Sequence, residues 1–354
     1  MSIKKIAELV GVSSSTVSRV LRDSDHKCLD EKTKEKILKT ARSLEYTPNA
    51  AARNLKYGKE ENLEKKYINI LKTREDYDPF YSQILRIIEI YAINQGFIIS
   101  NVWYNSSFSN LSRATSVNLN KTLDEMFSKP ESASHGLIIL GKCDEEVIKE
   151  LKKRCKHIVS INRNSTKLSI DEVLCDGCKL SSTAIEYLIS LGHRKIGYVG
   201  DTINESRFIG YQNTLFKYNI NTDLNYVYSD GLGYEYGRTA LEYFTRLADP
   251  PTAIYCSNDT TALGMLNHMN KIKNRYYNPS IISSDNIDES AHSKPMLTTV
   301  NIPKELMVKY ALELLRDKMD GGHKEKIKIE FEGRLIIRES CSKTDNSMLI
   351  EYYI

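Results

Sequence analysis

The sequence predicts an all-α helix-turn-helix head with a hinge helix, followed by an α/β core of two lobes. Three observations carry this. Residues 3–21 hold two short helical stripes separated by Gly11-Val12-Ser13. Pro48-Asn-Ala-Ala-Ala-Arg-Asn-Leu55 is a proline-started mini-helix. From residue 67 onward, short apolar runs alternate with helical stretches.

The head comes first. Ile3, Ile6, Ala7 and Val10 fall at i, i+3, i+4 and i+7, one apolar stripe on a helix. Gly11 supplies the backbone freedom that a tight turn needs. Ser13 is a good N-cap for a second helix, whose inward face is Val17, Val20 and Leu21. Ser14, Ser15, Ser18 and Arg19 are left facing outward, near the helix end that enters a DNA major groove in such motifs. Asp30 caps a third helix with Ile37, Leu38, Ala41 and Leu44 inward. The plainer alternative is three packed helices with serines serving solubility. Residues 1–59 hold nine lysines and four arginines against seven acidic residues, a surplus of six positive charges. The whole chain carries +4, so the remainder is slightly acidic and only the head suits phosphate. Lys32, Lys34 and Lys36 read equally well as a solvated helix face.

The segment Pro48–Leu55 is too short to hold a helix alone, since roughly 12–15 residues is the usual margin in water. It needs something to pack on, such as a twin from a second subunit and a minor groove. Leu55 then becomes a wedge between base pairs, with Arg53 stabilising the helix or touching phosphate. The alternative is an ordinary linker with Leu55 in the core.

These stretches resemble the lactose/galactose-repressor family (LacI/GalR) of bacterial transcription regulators, and the resemblance runs over essentially the whole chain. It is carried by Ile6-Ala7, Gly11-Val12-Ser13, Thr16-Val17-Ser18-Arg19-Val20-Leu21, Tyr46, Pro48-Asn49, Ala52-Arg53 and Leu55. Further along it is carried by Leu191-Gly-His-Arg-Lys-Ile-Gly197, Ser257-Asn-Asp259, Ala262-Leu-Gly264, Leu297-Thr-Thr-Val300 and Leu335-Ile-Ile-Arg-Glu-Ser340. Asp285-Asn286 and Lys294-Pro295 depart from the family's usual Asp-Asp and Pro-Pro. The resemblance implies Ser14, Ser15, Thr16, Ser18, Arg19, Asn49, Ala52, Arg53 and Leu55 as DNA contacts. It also implies a homodimer on a palindromic double-stranded operator.

The core reads as two α/β series. Tyr67–Leu71, Phe97–Trp103, Gly136–Leu140 and His157–Ile161 form the first, and Lys195–Val199, Thr252–Cys256 and Ser280–Ser283 the second. Such alternation indicates parallel sheets wrapped by helices. The resemblance adds a periplasmic-binding-protein-like clamshell with crossovers near residues 162, 290 and 321. The expected domains are a head at 1–47, hinge helix and linker at 48–66, an effector-binding and dimerisation core at 67–340, and a tail at 341–354. The first lobe takes 67–162 and 291–321, the second 163–290 and 322–340. The tail shows no sustained heptad, which favours a frayed or packed end over a coiled coil.

By resemblance, Arg207 occupies an effector-contacting position, Asn258 follows a strand and Asp285 ends one. A guanidinium fork and a carboxylate suit vicinal hydroxyls, which points to a small sugar as effector. Asp78-Pro-Phe-Tyr81 places Phe80 or Tyr81 at the cleft mouth. The competing structural roles are Asp259 as a helix cap, Phe80 as core, and Arg207 with Asp285 as an ion pair. Asp78–Tyr81 and Gly136–Lys142 resemble regulators of β-galactosidase genes, leaning toward a galactoside.

No secretion signal precedes Ser2 and no apolar run nears the roughly 18–20 residues of a membrane span, so a cytoplasmic protein without a membrane partner is expected. Seven scattered cysteines suit reduced thiols, and the lone Cys175-Asp-Gly-Cys178 lacks the second pair that a metal site needs. No cofactor, metal or catalytic residue is expected, and His193 reads as a turn hydrogen bond. Two rivals remain: a carbon-status regulator using a phosphorylated protein co-effector, and an enzyme acting on sugars or nucleosides.

Overall fold

The computed structural model describes residues 3–22, 31–43, 66–73, 78–109, 118–128, 135–162, 170–272 and 277–344. The chain divides into two units, Met1–Glu64 and Lys65–Ile354. Asp30 and the whole of 44–65, with Asn49, Ala52, Arg53 and Leu55, lie outside the described residues.

In the first unit, helices α1 (Ile3–Val10), α2 (Ser14–Arg22) and α3 (Glu31–Ser43) bury Ile6, Ala7, Val17, Val20, Ile37 and Ala41 against one another. Gly11 turns the chain at φ +75°, a left-handed conformation that a side chain resists. The amides of Gly11 and Val12 both return to the Ala7 carbonyl, at 2.9 and 3.1 Å. Lys34 is only 8% exposed, so it belongs to the helix packing while Lys32 and Lys36 remain on the solvated face.

The second unit holds two six-stranded sheets. The first lobe contains β1 (Lys66–Lys72), β2 (Phe97–Tyr104), β3 (Gly136–Leu140), β4 (Ile158–Asn162), β5 (Asp171–Cys175) and β11 (Lys328–Phe331), in the order β11-β5-β4-β3-β1-β2. Every pairing in it is parallel. The second lobe contains β6 (Ile196–Val199), β7 (Val227–Tyr228), β8 (Ala253–Cys256), β9 (Ser280–Asp285), β10 (Thr298–Asn301) and β12 (Arg334–Ile336), in the order β12-β10-β9-β8-β6-β7. Only β12 runs antiparallel to its neighbour. Strands that are apolar on both faces must be covered on both, and they are. Helices α4 (Pro79–Asn94), α5 (Leu119–Phe127), α6 (Glu145–Arg154) and α11 (Lys304–Met319) serve the first lobe. Helices α7 (Gly177–Ser190), α8 (Ser206–Lys217), α9 (Tyr234–Thr245) and α10 (Asp259–Ile272) serve the second.

This topology corrects the lobe boundaries expected near 162, 290 and 321. β5 remains in the first sheet, so the first crossing follows Cys175. β10 remains in the second sheet while α11 packs on β3, β4 and β5, so the second crossing lies at Ile302-Pro303. β11 and β12 lie in different sheets with only Glu332-Gly333 between them, which sets the third crossing there. Each crossing falls at the carboxyl end of a parallel strand in the first or second sheet, the edge where open α/β sheets bind ligands.

Candidate functional site

The candidate reading surface of the head is built on α2. Ser13 Oγ accepts from the Thr16 amide at 3.1 Å, the N-cap bond that its position suggested. The same oxygen lies 2.7 Å from Ser15 Oγ and 2.8 Å from Thr16 Oγ1, so one cap orients both neighbouring hydroxyls. Ser15 is exposed, while Ser14 and Thr16 are half-buried. No acidic residue sits in the first turn of α2, and its unpaired backbone donors favour an anion there. Ser18 and Arg19 lie on α2, but their side chains are outside the described residues.

The second site lies at the crossings of the core unit. Glu205 caps α8, its Oε1 accepting from the Arg207 amide at 3.2 Å. It also accepts from Arg207 Nε at 2.7 Å, and Arg207 Nη1 donates to the Ser257 carbonyl at 2.6 Å. Arg207 is 1% exposed. Burial opposes its charge, but the Glu205 carboxylate outweighs that and holds the guanidinium protonated well above its ordinary range. The arginine's partner is therefore Glu205, which replaces the Arg207–Asp285 ion pair considered from the sequence. Gly210 allows this placement: a Cβ there would collide with the Cys178 backbone, so only glycine lets α8 lie this close to α7.

Asn258 Oδ1 accepts from the Thr261 amide at 2.9 Å and so caps α10, the role considered for Asp259. Asp259 is instead fully buried and accepts from Ser283 Oγ (2.6 Å), Thr299 Oγ1 (2.6 Å) and the Ile287 amide (2.9 Å). Burial raises its pKa, and these three donors hold the rise back. They tie the ends of β9 and β10 to the start of α10. Asp285 closes β9 at 3% exposure and φ +139°, followed by Asn286 at φ +53°. Two consecutive left-handed non-glycine residues are a strained turn of the kind found at binding sites.

Phe80 and Tyr81 are 2% and 1% exposed, so neither stands at an open cleft mouth. Asp78 caps α4 by accepting from the Phe80 amide at 3.1 Å, and Pro79 opens the helix. The two rings meet edge-on with centroids 5.0 Å apart. Lys304, at the start of α11, brings two of the candidate residues together. Its Nζ lies 5.5 Å from the Phe80 ring centroid and donates to the Asp285 and Asn286 carbonyls, each at 2.9 Å.

Sequence reasoning missed Glu205, Ser257 and Lys304 as parts of this site, and weighed Asp259 as a helix cap. An acid two residues before Arg207, at a helix start, was a readable signal for Glu205. Lys304 left none. A cavity of about 460 Å³ lies elsewhere in the first lobe, lined by Lys72, Ser82, Leu85, Arg86, Glu89 and Tyr104, and contains none of the candidate effector residues. Arg207 and Asp285 are thus enclosed rather than lining this open cavity.

Cys175 and Cys178 lie in different elements, β5 and α7. Cys175 is buried at the end of β5, and the Cys178 thiol donates to the Ser206 carbonyl at 3.1 Å. Burial raises the Cys178 pKa, away from reactive thiolate. Among the described residues no cluster of three metal-binding side chains occurs, and no helix is long and apolar enough to cross a membrane. His193 Nδ1 lies 2.9 Å from Thr252 Oγ1 and its Nε2 3.0 Å from the Ser342 carbonyl, which ties the segment after β12 to the turn before β6. That arrangement requires the Nε2–H tautomer, because a carbonyl only accepts.

Two stretches of the chain match known family profiles. The profile for "Bacterial regulatory proteins, lacI family" matches residues 2–49, and that for "Periplasmic binding protein-like domain" matches residues 185–341. The HTH-type transcriptional repressor CytR of Escherichia coli (strain K12) is 28% identical over 347 residues, covering 96% of each chain. Among solved structures, the transcriptional regulator CelR in complex with cellobiose superposes with a TM-score of 0.66 at 21% identity, covering 96% of this chain and 100% of that one. The lac repressor dimer bound to operator and an anti-inducer superposes at 0.64 and 19% identity, over 96% and 98% of the two chains.

Proposed function

The chain belongs to the lacI family of bacterial regulatory proteins, and on that premise we propose that it represses sugar-utilisation genes under the control of a small sugar held between its two core lobes. It is an effector-regulated, DNA-binding transcriptional repressor; its relatives are regulators, not enzymes. The sugar reading rests chiefly on one arrangement. A buried Arg207, oriented by Glu205 and the Ser257 carbonyl, occupies the carboxyl edge of the second sheet, the edge that Asp285 also closes. Neutral polyols suit such a site, because fixed donors and acceptors replace water around each hydroxyl.

In this reading, two copies of the head contact two half-sites of a palindromic operator, in the compartment that holds the chromosome. Ser14, Ser15 and Arg19 read base edges in the major groove, while residues 48–55 form hinge helices that insert Leu55 into the minor groove. Sugar binding changes the angle between lobes at the three crossings. The first lobe carries the linker at Lys66, so its reorientation alters the spacing of the hinge segments. The decisive experiment is a thermal-shift screen of neutral mono- and disaccharides, galactosides included, followed by operator titration with each hit. A stabilising sugar that alters operator affinity by fivefold or more is expected, on the scale of about 1–3 kcal/mol of coupling. A screen in which only a phosphorylated partner protein alters operator affinity would replace the sugar with a protein co-effector.

A further inference from the structure

The surroundings of Arg207 bear on the charge of its ligand. Its guanidinium charge is already matched by a carboxylate. Glu205 stands 2.7 Å from Nε with 5% of its side chain exposed, against 1% for the arginine. A carboxylate on Nε and a carbonyl on Nη1 occupy two of the five N–H donors of the planar fork that a phosphate would use. Asp285, 3% exposed, adds a second carboxylate to the same strand edge. Lys304, which donates to the Asp285 carbonyl, is committed to that carbonyl, to the Asn286 carbonyl and to the face of Phe80. An anionic ligand would enter beside two buried carboxylates, where low polarisability magnifies repulsion.

The uncharged donors and acceptors point the same way. Ser257 is fully buried, and its Oγ has no hydrogen-bond partner among the described residues; the Oγ of Ser206, the residue before Arg207, is likewise unpartnered. Buried hydroxyls are normally paired, so each of these two has capacity for a hydrogen bond from a ligand hydroxyl or a water. A hydroxyl both donates and accepts, which matches another hydroxyl.

We infer that Glu205 is a specificity-determining residue: by neutralising Arg207 it makes the site select uncharged polyhydroxy ligands and reject their phosphate esters and carboxylates. This rests on the sugar-effector reading of the cleft. Ser206 and Ser257 supply the hydroxyl contacts, and Glu205 supplies the exclusion.

The test uses the full chain and isothermal calorimetry on paired ligands: each neutral sugar that stabilises the protein, its phosphate ester and its uronic acid. The parent should bind the neutral member at least about a hundredfold more tightly than either anion, and Glu205→Gln should narrow that gap about tenfold or more by leaving Arg207 uncompensated. Ser257→Ala should weaken the neutral sugar while leaving the gap intact. Equal or tighter binding of an ester by the parent overturns the inference and leaves the sugar-effector reading standing. So does a gap that Glu205→Gln leaves unchanged. Should Glu205→Gln fail to fold, the ligand pairs on the parent decide alone. If no sugar of either kind binds the parent, the cleft reading itself falls, and the inference with it.

Discussion

Lys304 donates to the Asp285 carbonyl at 2.9 Å from the first turn of α11, and so joins a helix of the first lobe to the strained turn that ends a strand of the second. The same ammonium reaches the Asn286 carbonyl and the face of Phe80. It lies one residue past the Ile302-Pro303 crossing. The Lys304 side chain thus touches the Asp285 turn, Phe80 of α4 and its own helix α11 at once.

Lys304→Met keeps the length and packing of the aliphatic stem and removes the three donors. Its operator affinity without effector should stay within about twofold of the parent, while the effector-induced change shrinks by about 1 kcal/mol or more, a usual share of allosteric coupling. Operator titrations with and without saturating effector measure both. An unchanged effector response would show that the lobes communicate without this contact.

The arginine makes a different demand on the fold. Arg207→Ala leaves the Glu205 carboxylate buried without its partner, a loss of about 3–5 kcal/mol of stability. Replacing both, as Arg207→Met with Glu205→Gln, should recover most of that loss while abolishing the effector response. Urea denaturation of the two variants distinguishes an ion pair needed for folding from one needed for ligand. Equal destabilisation of the single and double variants would contradict the pairing.

A third expectation concerns pH. His323 lies 2.6 Å from Asp317 Oδ2 by Nδ1 and 2.9 Å from Asp171 Oδ2 by Nε2, and Lys318 also bonds Asp171 at 2.8 Å. Two carboxylates on the two ring nitrogens require imidazolium. Burial lowers the pKa of His323, but hydrogen bonds to Asp317 and Asp171 outweigh it, so the net shift is upward from 6.5. The contribution to stability is then fully present below about pH 6.5 and is lost as pH rises through the folded-state value. His157 and His193 shift downward, chiefly through burial, and act in the opposite direction: below 6.5 the unfolded chain takes up protons that the native state resists. The difference in melting temperature between the parent and His323→Gln isolates the first effect. It should be largest at pH 6 and shrink toward pH 8; a constant difference would rule out the imidazolium.

In the head, Leu55→Ala should leave the core's melting temperature unchanged and weaken specific operator binding by a few kcal/mol, about the scale of an unstacking wedge. DNA bending in a circular-permutation gel-shift assay should fall with it. Exchanging Ser14 and Ser15 should change which half-site is preferred. A uniform loss across all sequences would mark these serines as phosphate contacts.

Local pattern was enough for much of this protein. The stripe Ile6, Ala7 and Val17 became the head's core, and Ser13 became the cap of α2, because helix periodicity and capping act over three or four residues. The seven apolar runs read as strands all became strands for a similar reason: a short continuous apolar run between helices buries itself only in a covered sheet. Which sheet each strand joined was decided elsewhere in the chain. Asp171–Cys175 pairs with Ile158–Asn162 on one side and Lys328–Phe331 on the other, partners up to about 150 residues away, and so the crossings lie later than sequence alone implied. The tertiary fold likewise chose Glu205 over Asp285 for Arg207, withdrew Lys34 from solvent and set Lys304 against Asp285. Burial of charge depends on what the rest of the chain brings within a few ångströms, and no periodicity along the sequence encodes that distance.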